Sequence, residues 1–221
     1  MKVVLYTCIT GGYDRLNEVP FQKSGMDLVC FTDNLGLRYG TASWTVRPVP
    51  EELSGLSNVK QQRLVKILPH RFLPEYDVSV WIDGNVTVKG DLGEFLKGLR
   101  LSEKSFWTRR HPSRNCAYRE AETVERVGKD VSGKVRPQME RYRKEGFPEG
   151  FGLEETGIIV RAQKDPKCQI LCNLWGKEVL ENSHRDQLSL DYCRWKTGTE
   201  IGVLDLDMRR NPWFSLKRHV G

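Results

Sequence analysis

Short apolar runs alternate with amphipathic segments along the whole chain. The runs KVVLYTCIT, DLVCFTD, SWTVRPV, DVSVWIDGNVTV, SFWTRR and ETGIIVR are rich in aliphatic and aromatic residues and end at turn-forming residues, as strands do. Several of the segments between them repeat apolar residues at helical spacing. Strands that alternate with helices predict an α/β fold in which helices flank a mixed, mostly parallel sheet.

Capping residues indicate where the helices begin. One helix is predicted over SNVKQQRLVKILPHRFL with Ser57 as N-cap, and another begins with Asp165 as cap and Pro166 in the first helical position. The first helix is predicted to bury Val59, Leu64, Ile67 and Leu68 and to carry Lys60, Arg63 and Lys66 on the opposite side. Two exposed helices, divided near Gly133 and Pro137, are predicted in the charged middle of the chain.

The totals favour one domain. The chain has 221 residues, 38% of them hydrophobic, and no repeat or long linker divides it, so we expect a single domain over residues 1–221. Its apolar runs fall short of the roughly 20 residues that span a bilayer, and its first strand lacks a signal-peptide cleavage pattern. We therefore expect no integral membrane segment and a cytoplasmic location.

Six cysteines are scattered through the chain without a CxxC pair, which favours reduced and mostly buried thiols. A zinc site would require Cys168, Cys172, His184 and Cys193 to converge. Cys168 and Cys172 are one helical turn apart in an amphipathic segment, so the sequence favours packing over zinc binding.

The formal net charge of +6 suggests an anionic partner or simply a soluble basic surface. A basic stripe interleaved with aromatic residues is missing, which argues against a nucleic-acid partner. Arg109, Arg110, His111 and Arg114 lie within six residues, and guanidinium groups make charge-assisted bonds to phosphate oxygens. We therefore predict a diphosphate site here, with Glu120 orienting one of the basic groups.

Polar stretches follow the predicted strands, namely TCITGGYD, FTDN, DGN and TRRHPSR, and ligands of parallel sheets bind beyond the carboxyl ends of strands. Asp83 and Asn85, two residues apart in a strand, would present their oxygens to one side, while Gly84 would let a ligand approach the backbone. Mg²⁺ or Mn²⁺ prefers such oxygen ligands. By itself, however, the D-G-N step is more typical of a turn.

Six motifs in a fixed order carry a resemblance to a known family. They are YTCITGGYDRL, VCFTDN, KILPHRFLPEYDVSVWIDGNVTV, HPSRNCAYREAE, QMERYRKEGFPEGFGLEETGIIVR and SHRDQLSLDYCRW. From Val3 to His219 the chain resembles the glycosyltransferase-like domain typified by plant turgor-regulation and mucilage-related proteins, which is similar to the retaining family 8 glycosyltransferases. The resemblance implies a single-domain, GT-A-like (Rossmann-like) fold and a nucleotide-diphospho-sugar donor.

The resemblance also implies a metal site. In GT-A enzymes a D-x-D motif holds the metal that bridges the donor phosphates, and Asp83 and Asn85 match its first and last positions. His219 matches the C-terminal histidine that completes this site in family 8. Asn85 supplies a neutral oxygen where the family has a carboxylate, so Mn²⁺ or Mg²⁺ is expected to bind more weakly.

The same comparison implies donor-binding and catalytic residues. Thr7, Thr10, Tyr13 and Asp33 match the nucleotide site, Arg63 and Lys66 lie on the helix that faces the donor, and His111 and Arg114 belong to this subfamily's own motif. Glu155, Arg185, Asp186 and Gln187 match positions near the transferred sugar and the acceptor. The alternatives are a helix cap formed by Ser183 or Asp186 and a solvated helix face for Lys60, Arg63 and Lys66.

The predicted function is glycosyl transfer from a UDP-sugar, with retention, to a glycan or other acceptor. One alternative is a sugar nucleotidyltransferase, although ITGGYDRL lacks the usual pattern that grips a triphosphate. Another is a non-catalytic module that binds anionic glycans or nucleic acid, which the net charge of +6 would suit.

Overall fold

The computed structural model describes residues 1–20, 22–23, 25–39, 42–208 and 210–217. The strands within them are β1 Val3–Ile9, β2 Asp27–Thr32, β3 Thr45–Pro48, β4 Val78–Ile82, β5 Val86–Val88, β6 Phe106–Arg110, β7 Glu154–Ala162, β8 Gly202–Val203 and β9 Phe214–Leu216. The α-helices are α1 Asn58–Ile67, α2 Pro69–Phe72, α3 Leu92–Lys97, α4 Ala117–Arg126, α5 Val135–Lys144, α6 Pro166–Glu181 and α7 Gln187–Thr197. Short 3₁₀ helices span Leu35–Tyr39 and Glu51–Leu53.

Seven strands form one sheet in the order β3-β2-β1-β4-β7-β6-β8. Strand β7 runs antiparallel to both of its neighbours, β4 and β6, and the other six strands run parallel to one another. The carboxyl ends of these six strands and the amino end of β7 therefore lie along one edge, which we call the carboxyl edge. The predicted α/β fold with a mixed, mostly parallel sheet is confirmed.

The sheet separates two apolar layers. In β1, Val4 and Tyr6 face a layer built with α1 and α4 to α7, whereas Leu5 and Ile9 face a layer built with α3, β5 and β9. This alternation follows from the two-residue period of a strand. Because both faces are covered, β4 is buried over its whole length, which explains its uninterrupted apolar sequence.

The stretch predicted as one central strand is two strands in two sheets. Strand β4 stays in the main sheet, while β5 pairs with β9, with Val88 opposite Phe214. Between them the chain turns, and the Val86 amide donates a hydrogen bond to the Asp83 carbonyl at 2.9 Å. The single-strand prediction is wrong because Asp, Gly and Asn favour a turn in the middle of the apolar run.

The two helices in the charged middle of the chain were predicted to be exposed, but each of them buries one face. Helix α4 buries Ala121 and Val124, and α5 buries Met139 and Tyr142. Pro137 does not divide them but lies in the first turn of α5, where a proline costs no helical hydrogen bond. Both helices pack one apolar face in the same layer as α6 and α7.

Helix α1 departs from its predicted pattern, whereas α6 follows it. Val59 is 44% exposed and Lys66 only 1% exposed, the reverse of the expected sides. Ser57 occupies the N-cap position of α1, although its side chain makes no capping bond. In α6, Asp165 caps the first turn through a 3.0 Å hydrogen bond and Pro166 begins the helix, which confirms that prediction.

The predicted burial of the cysteines is also confirmed, because all six are buried and reduced. Cys168, Cys172 and Cys193 pack in the helical layer on α6 and α7. His184 does not join them, since its Nδ1 lies 3.3 Å from Asp130 Oδ2. The thiols therefore act as small apolar side chains in the core.

Candidate active site at the carboxyl edge

A buried lysine connects three elements at the carboxyl edge. Lys66 Nζ lies 2.7 Å from Asp186 Oδ2, 3.2 Å from Asp83 Oδ1 and 3.0 Å from Thr156 Oγ1. These partners come from the start of α7, the end of β4 and the amino-terminal half of β7. An ammonium that is 99% buried is tolerated only with such compensation, so the side chains of this group fix one another.

Asp186 is ionised and held by cations. Burial alone would raise the pKa of Asp186, but Lys66 and Arg63 outweigh burial and lower the pKa below its ordinary value. Arg63 Nε lies 3.2 Å from Asp186 Oδ1, and the Thr156 hydroxyl donates to Oδ2 at 2.8 Å. Asp186 sits at the N-cap of α7 but makes no side-chain capping bond there. For Asp186 the capping alternative is therefore wrong, because the carboxylate points to Lys66 instead.

Arg63 and Lys66 do not lie on a solvated helix face. The Arg63 side chain is 17% exposed, and that of Lys66 is 1% exposed. The Arg63 contact with Asp186 is an ion pair without hydrogen-bond geometry, since Arg63 Nε has no hydrogen-bond partner within the part of the chain that is described. Lys60, one turn earlier, instead donates to the Leu180 carbonyl at 2.5 Å and thus caps the end of α6.

Asp83 begins the turn after β4, and its side chain also contacts Lys66. Its Oδ1 accepts hydrogen bonds from Trp81 Nε1 at 2.8 Å and from Lys66 Nζ, while its backbone amide donates to the Gly157 carbonyl at 2.9 Å. Asn85 lies in the turn, and its Nδ2 donates to the Lys217 carbonyl at 3.3 Å. The two side chains do not share a strand face, so the spacing argument from the sequence does not apply.

The Asp14 side chain lies so close to Gly84 that no β-carbon fits at this position. A β-carbon at Gly84 would lie 2.8 Å from Asp14 Oδ2 and equally close to Asp14 Cβ, a separation that real β-carbons do not adopt. Asp14 from the loop after β1 therefore packs against the turn between Asp83 and Asn85. Sequence reasoning missed Asp14, although its position directly after Gly-Gly-Tyr at a strand end is a signal that marks such loops.

This turn leaves two side-chain oxygens for a hard divalent cation, although no group of three or more His, Cys, Asp or Glu side chains within the described residues could hold a metal ion. The Asp83 Oδ1 atom is saturated by its two donors, which leaves Oδ2 for a ligand. The Asn85 amide nitrogen is bonded to Lys217, so the amide oxygen is the atom left for a cation. Mg²⁺ and Mn²⁺ accept one or two protein oxygens and complete their shell with water or phosphate. His219, the third predicted ligand, lies outside the described residues.

Glu155 and Arg109 extend the site across β7 and β6. Arg109 Nη1 lies 2.6 Å from Glu155 Oε2, and Arg109 Nε donates to the Leu206 carbonyl at 3.1 Å. Burial raises the pKa of Glu155, Arg109 opposes this effect, and the nearby Asp83 adds to it. A bulge between Thr108 and Arg109 aims the arginine at this position.

The loop after β1 holds three of the predicted nucleotide-binding residues together. Thr10 Oγ1 donates to the Asn58 carbonyl at 2.8 Å, and the Gly11 amide donates to Asp33 Oδ2 at 2.8 Å. Tyr13 is 54% exposed beside them. Thr7 differs, because it is buried within β1 and lines a small cavity beneath Asp83 and Gly84. A nucleotide on the surface of this loop would not reach Thr7.

The basic motif after β6 is largely paired within itself. Arg114 forms an ion pair with Glu120 in the first turn of α4, and its Nη2 lies 2.9 Å from His111 Nε2. His111 Nδ1 accepts hydrogen bonds from the amides of Ser113 and Arg114. Burial and Arg114 lower the pKa of His111, so the ring is neutral. The prediction that Glu120 orients an arginine is confirmed by this contact, but His111 and Arg114 fasten the loop to α4 instead of presenting free charge.

Arg185 and Gln187 flank Asp186. Gln187 Nε2 donates to the Glu154 carbonyl at 3.2 Å and so ties α7 to β7. Arg185 Nε is buried and has no hydrogen-bond partner among the residues that the structure describes. Arg185 is therefore a further cation beside the site, and its charge helps to lower the pKa of Asp186.

Comparison with protein families identifies the chain. The family model of the TOD1/MUCI70 glycosyltransferase-like domain matches residues 42–214, which is most of the sequence. The chain belongs to the TOD1/MUCI70 family of glycosyltransferase-like domains. The matched range includes α1, β4, the D-G-N turn, β7 and α7, which are the elements that form the Lys66 site.

A curated relative agrees with this assignment. "Probable hexosyltransferase MUCI70" from Arabidopsis thaliana is 29% identical over 169 residues, which is 71% of this chain and 29% of that protein. The chain thus spans less than a third of that relative's length.

Two solved structures are similar to the chain. A WbbM bifunctional glycosyltransferase in its apo form is 13% identical, with a TM-score of 0.50, and the match covers 92% of this chain and 38% of that one. Mouse xyloside xylosyltransferase 1 in its apo form is 12% identical, with a TM-score of 0.52, and the match covers 92% of this chain and 84% of that one. At these identities the likeness concerns the fold alone, and it identifies the sheet and its helices as GT-A-like. In the part of the chain that is described, no helix is both long and apolar enough to cross a membrane.

Proposed function

We propose that this domain transfers a hexosyl or related glycosyl group from a UDP-sugar to a glycan acceptor, with retention at the anomeric carbon. The observation that carries the proposal is the buried Lys66–Asp186–Asp83 group at the carboxyl edge. Ligands of open α/β sheets bind at this edge, and the family to which the chain belongs is glycosyltransferase-like.

The charges of the site indicate how much additional positive charge a diphosphate donor would need. Three cations and three carboxylates pair with one another, namely Lys66, Arg63 and Arg109 with Asp83, Asp186 and Glu155. A diphosphate therefore brings negative charge into a site that is already balanced. We propose that Arg185 supplies part of the compensating charge. A divalent cation held by Asp83 and Asn85 would supply the rest and act as a Lewis acid on the diphosphate.

The protein side chains have separate tasks in this proposal. Arg185 stabilises the negative charge that develops on the leaving diphosphate, because a fixed cation in a water-poor site needs no reorganisation. Lys66 and Arg63 hold Asp186 in place. Asp186, kept ionised by its two cations, places negative charge beside the sugar, where positive charge develops at the anomeric carbon. Glu155, whose pKa is raised by burial, accepts a hydrogen bond from the acceptor hydroxyl.

The test compares two aspartates that flank the same strand. Asp83 follows β4 at the carboxyl edge, whereas Asp77 precedes β4 at the other end and pairs with Lys164 on the surface at 2.7 Å. We expect Asp83→Ala to abolish hydrolysis of UDP-sugars and manganese-dependent binding of UDP, and Asp77→Ala to leave both intact. Product release is measured by chromatography over a panel of UDP-sugars, and binding by calorimetry.

Two results would count against the proposal in different ways. An undiminished rate in Asp83→Ala would remove Asp83 from the donor site but leave glycosyl transfer in place. If the unmodified protein neither binds UDP nor cleaves any UDP-sugar, the donor assignment itself is wrong.

A further inference from the structure

An aromatic ring is exposed just before the start of β7. Phe151 is 38% exposed, whereas its neighbour Phe147 is 4% exposed. The ring of Phe147 meets Phe151 edge-on with 5.6 Å between centroids, and Arg194 Cζ lies 5.4 Å from the Phe151 centroid. The ring is therefore held by its contacts while part of its surface remains open to solvent.

Arg194 is itself fixed by buried carboxylates. Its Nη1 lies 3.0 Å from Glu154 Oε1 and 2.5 Å from Asp191 Oδ1, and Asp191 is fully buried. Asp191 Oδ2 also accepts a hydrogen bond from the Glu154 amide at 2.9 Å. Phe151 thus rests on a guanidinium that cannot swing away, which makes the exposed surface preorganised.

One face of α7 connects the surroundings of Phe151 with the proposed active site. Gln187, Asp191 and Arg194 follow the four- and three-residue spacing of one α-helical face, and each contacts Glu154. Seven residues of helix rise about 10 Å. Arg194, whose guanidinium lies against Phe151, is therefore about 10 Å along α7 from Gln187, the residue next to Asp186.

The chemistry of the surface suits a sugar ring. A pyranose presents a face of C–H groups that packs on the negatively charged face of an aromatic ring, and its hydroxyl groups bind planar cations. Arg110, which is exposed, lies opposite Glu154 on the adjacent strand β6. An apolar face with cations beside it fits a carbohydrate better than it fits a purely apolar ligand.

We infer that Phe151 is the platform of an acceptor subsite and stacks on a sugar ring of the glycan acceptor. Because Arg194 lies about two turns along α7 from Asp186, the stacked sugar ring is not the one that receives the new linkage but one farther along the acceptor chain. The inference rests on the proposed function, because it assigns the acceptor end of the same site. It predicts that an acceptor of two or more sugar rings binds more tightly than a monosaccharide.

The experiment measures sugar binding without requiring turnover. Saturation-transfer NMR is recorded with methyl β-glucopyranoside, methyl β-galactopyranoside and methyl β-xylopyranoside and with the matching β-1,4-linked disaccharide glycosides. We expect transfer to the ring protons of at least one disaccharide, an upfield shift of its axial protons, and about tenfold weaker binding in Phe151→Ala, as expected for loss of one aromatic contact.

Matched variants separate stacking from folding. Phe151→Tyr keeps the ring and should bind as the unmodified protein does, whereas Phe151→Leu keeps the apolar volume but should bind as Phe151→Ala does. Ile170→Ala, at a residue 57% exposed on α6, is the control for loss of a surface apolar side chain. Hydrolysis of the donor in the absence of acceptor should be unchanged in all four variants.

The outcomes distinguish the subsite from the function. If the unmodified protein cleaves a UDP-sugar but no disaccharide shows transfer, or if Phe151→Leu and Phe151→Ala bind the disaccharide normally, the subsite inference is overturned while glycosyl transfer stands. If stacking is observed but no UDP-sugar is cleaved or bound, Phe151 still binds sugar and the proposed donor chemistry is wrong.

Discussion

Replacement of Lys66 by methionine is expected to destabilise the protein strongly at neutral pH. Methionine keeps the length of the side chain but removes the ammonium that lies 2.7 Å from Asp186 and 3.2 Å from Asp83. Asp186 is 2% exposed, so its carboxylate would remain buried with Arg63 as the remaining ion-pair partner among the residues that the structure describes. Removing one partner of a buried pair costs about 3–5 kcal/mol. That cost is a large part of the about 5–15 kcal/mol that stabilises a typical domain.

The destabilisation should depend on pH in a defined direction. In the unmodified protein the pKa of Asp186 is lowered, because Lys66 and Arg63 outweigh burial. A carboxyl whose pKa is lower in the folded state stabilises the fold above the pKa of the unfolded chain, about 3.9, and this stabilisation is lost as the pH falls through the folded pKa. Without Lys66, Asp186 can become neutral at low pH at little cost. The difference between Lys66→Met and the unmodified protein should therefore shrink from pH 7 to pH 4.

The measurement is urea unfolding followed by circular dichroism at pH 7 and pH 4. The double variant Lys66→Met, Asp186→Asn removes both fully buried charges and leaves only the more exposed Arg63 and Asp83 without those partners, so it should recover at least half of the loss at pH 7. Lys97→Met is the control, since Lys97 pairs with Glu94 on the exposed face of α3 and its loss should not move the midpoint. A Lys66→Met protein as stable as the original at pH 7, or a double variant no better than the single one, would refute the reasoning.

Two further predictions concern residues next to the site. Burial, and to a smaller extent Asp191, raises the pKa of Glu154 from 4.5 to about 7. The folded protein therefore keeps this proton up to a higher pH than the unfolded chain does. As a result, the free energy of unfolding should fall as the pH rises from about 4.5 to about 7. Urea unfolding of Glu154→Gln should lack this fall, which amounts to at most about 3 kcal/mol. Gly84→Ala should lower the free energy of unfolding by about 1–3 kcal/mol and weaken UDP binding, because its β-carbon would collide with Asp14, whereas Gly55→Ala, with open space around it, should do neither.

The main strands were predictable because their own residues form the apolar runs from which strands are predicted. β1, β2, β3, β4, β6 and β7 all lie within apolar runs that end at turn residues. β8 and β9 span two and three residues, too few for any periodicity, and exist only because they pair with β6 and β5. The antiparallel direction of β7 was equally invisible, because a fully buried strand has the same composition in either direction.

The sequence singled out individual residues of the candidate site but not the contacts between them. Helical periodicity assigned Lys66 to a polar face, since a lysine opposite an apolar stripe is ordinarily solvated. Its burial depends on Asp186, which is 120 residues later in the chain, and a local pattern contains no information about that partner. Asp186 presented the converse ambiguity, because an aspartate before a helix suits a cap and an ion pair equally well until the partner is known.

The structure confirms that the Asp83-Gly84-Asn85 step is a turn, and the proposed site at Asp83 depends on that turn. The turn between Asp83 and Val86 ends β4 at the carboxyl edge and sends β5 into the second sheet. Had the strand continued, position 83 would lie inside the sheet between β1 and β7, with its side chain packed against a layer. Because the chain turns there, the Asp83 carboxylate instead reaches the edge, where Trp81 and Lys66 fix one of its oxygens and leave the other for a ligand. The local preference of Asp, Gly and Asn for a turn is thus the physical cause that brings the carboxylate to the site.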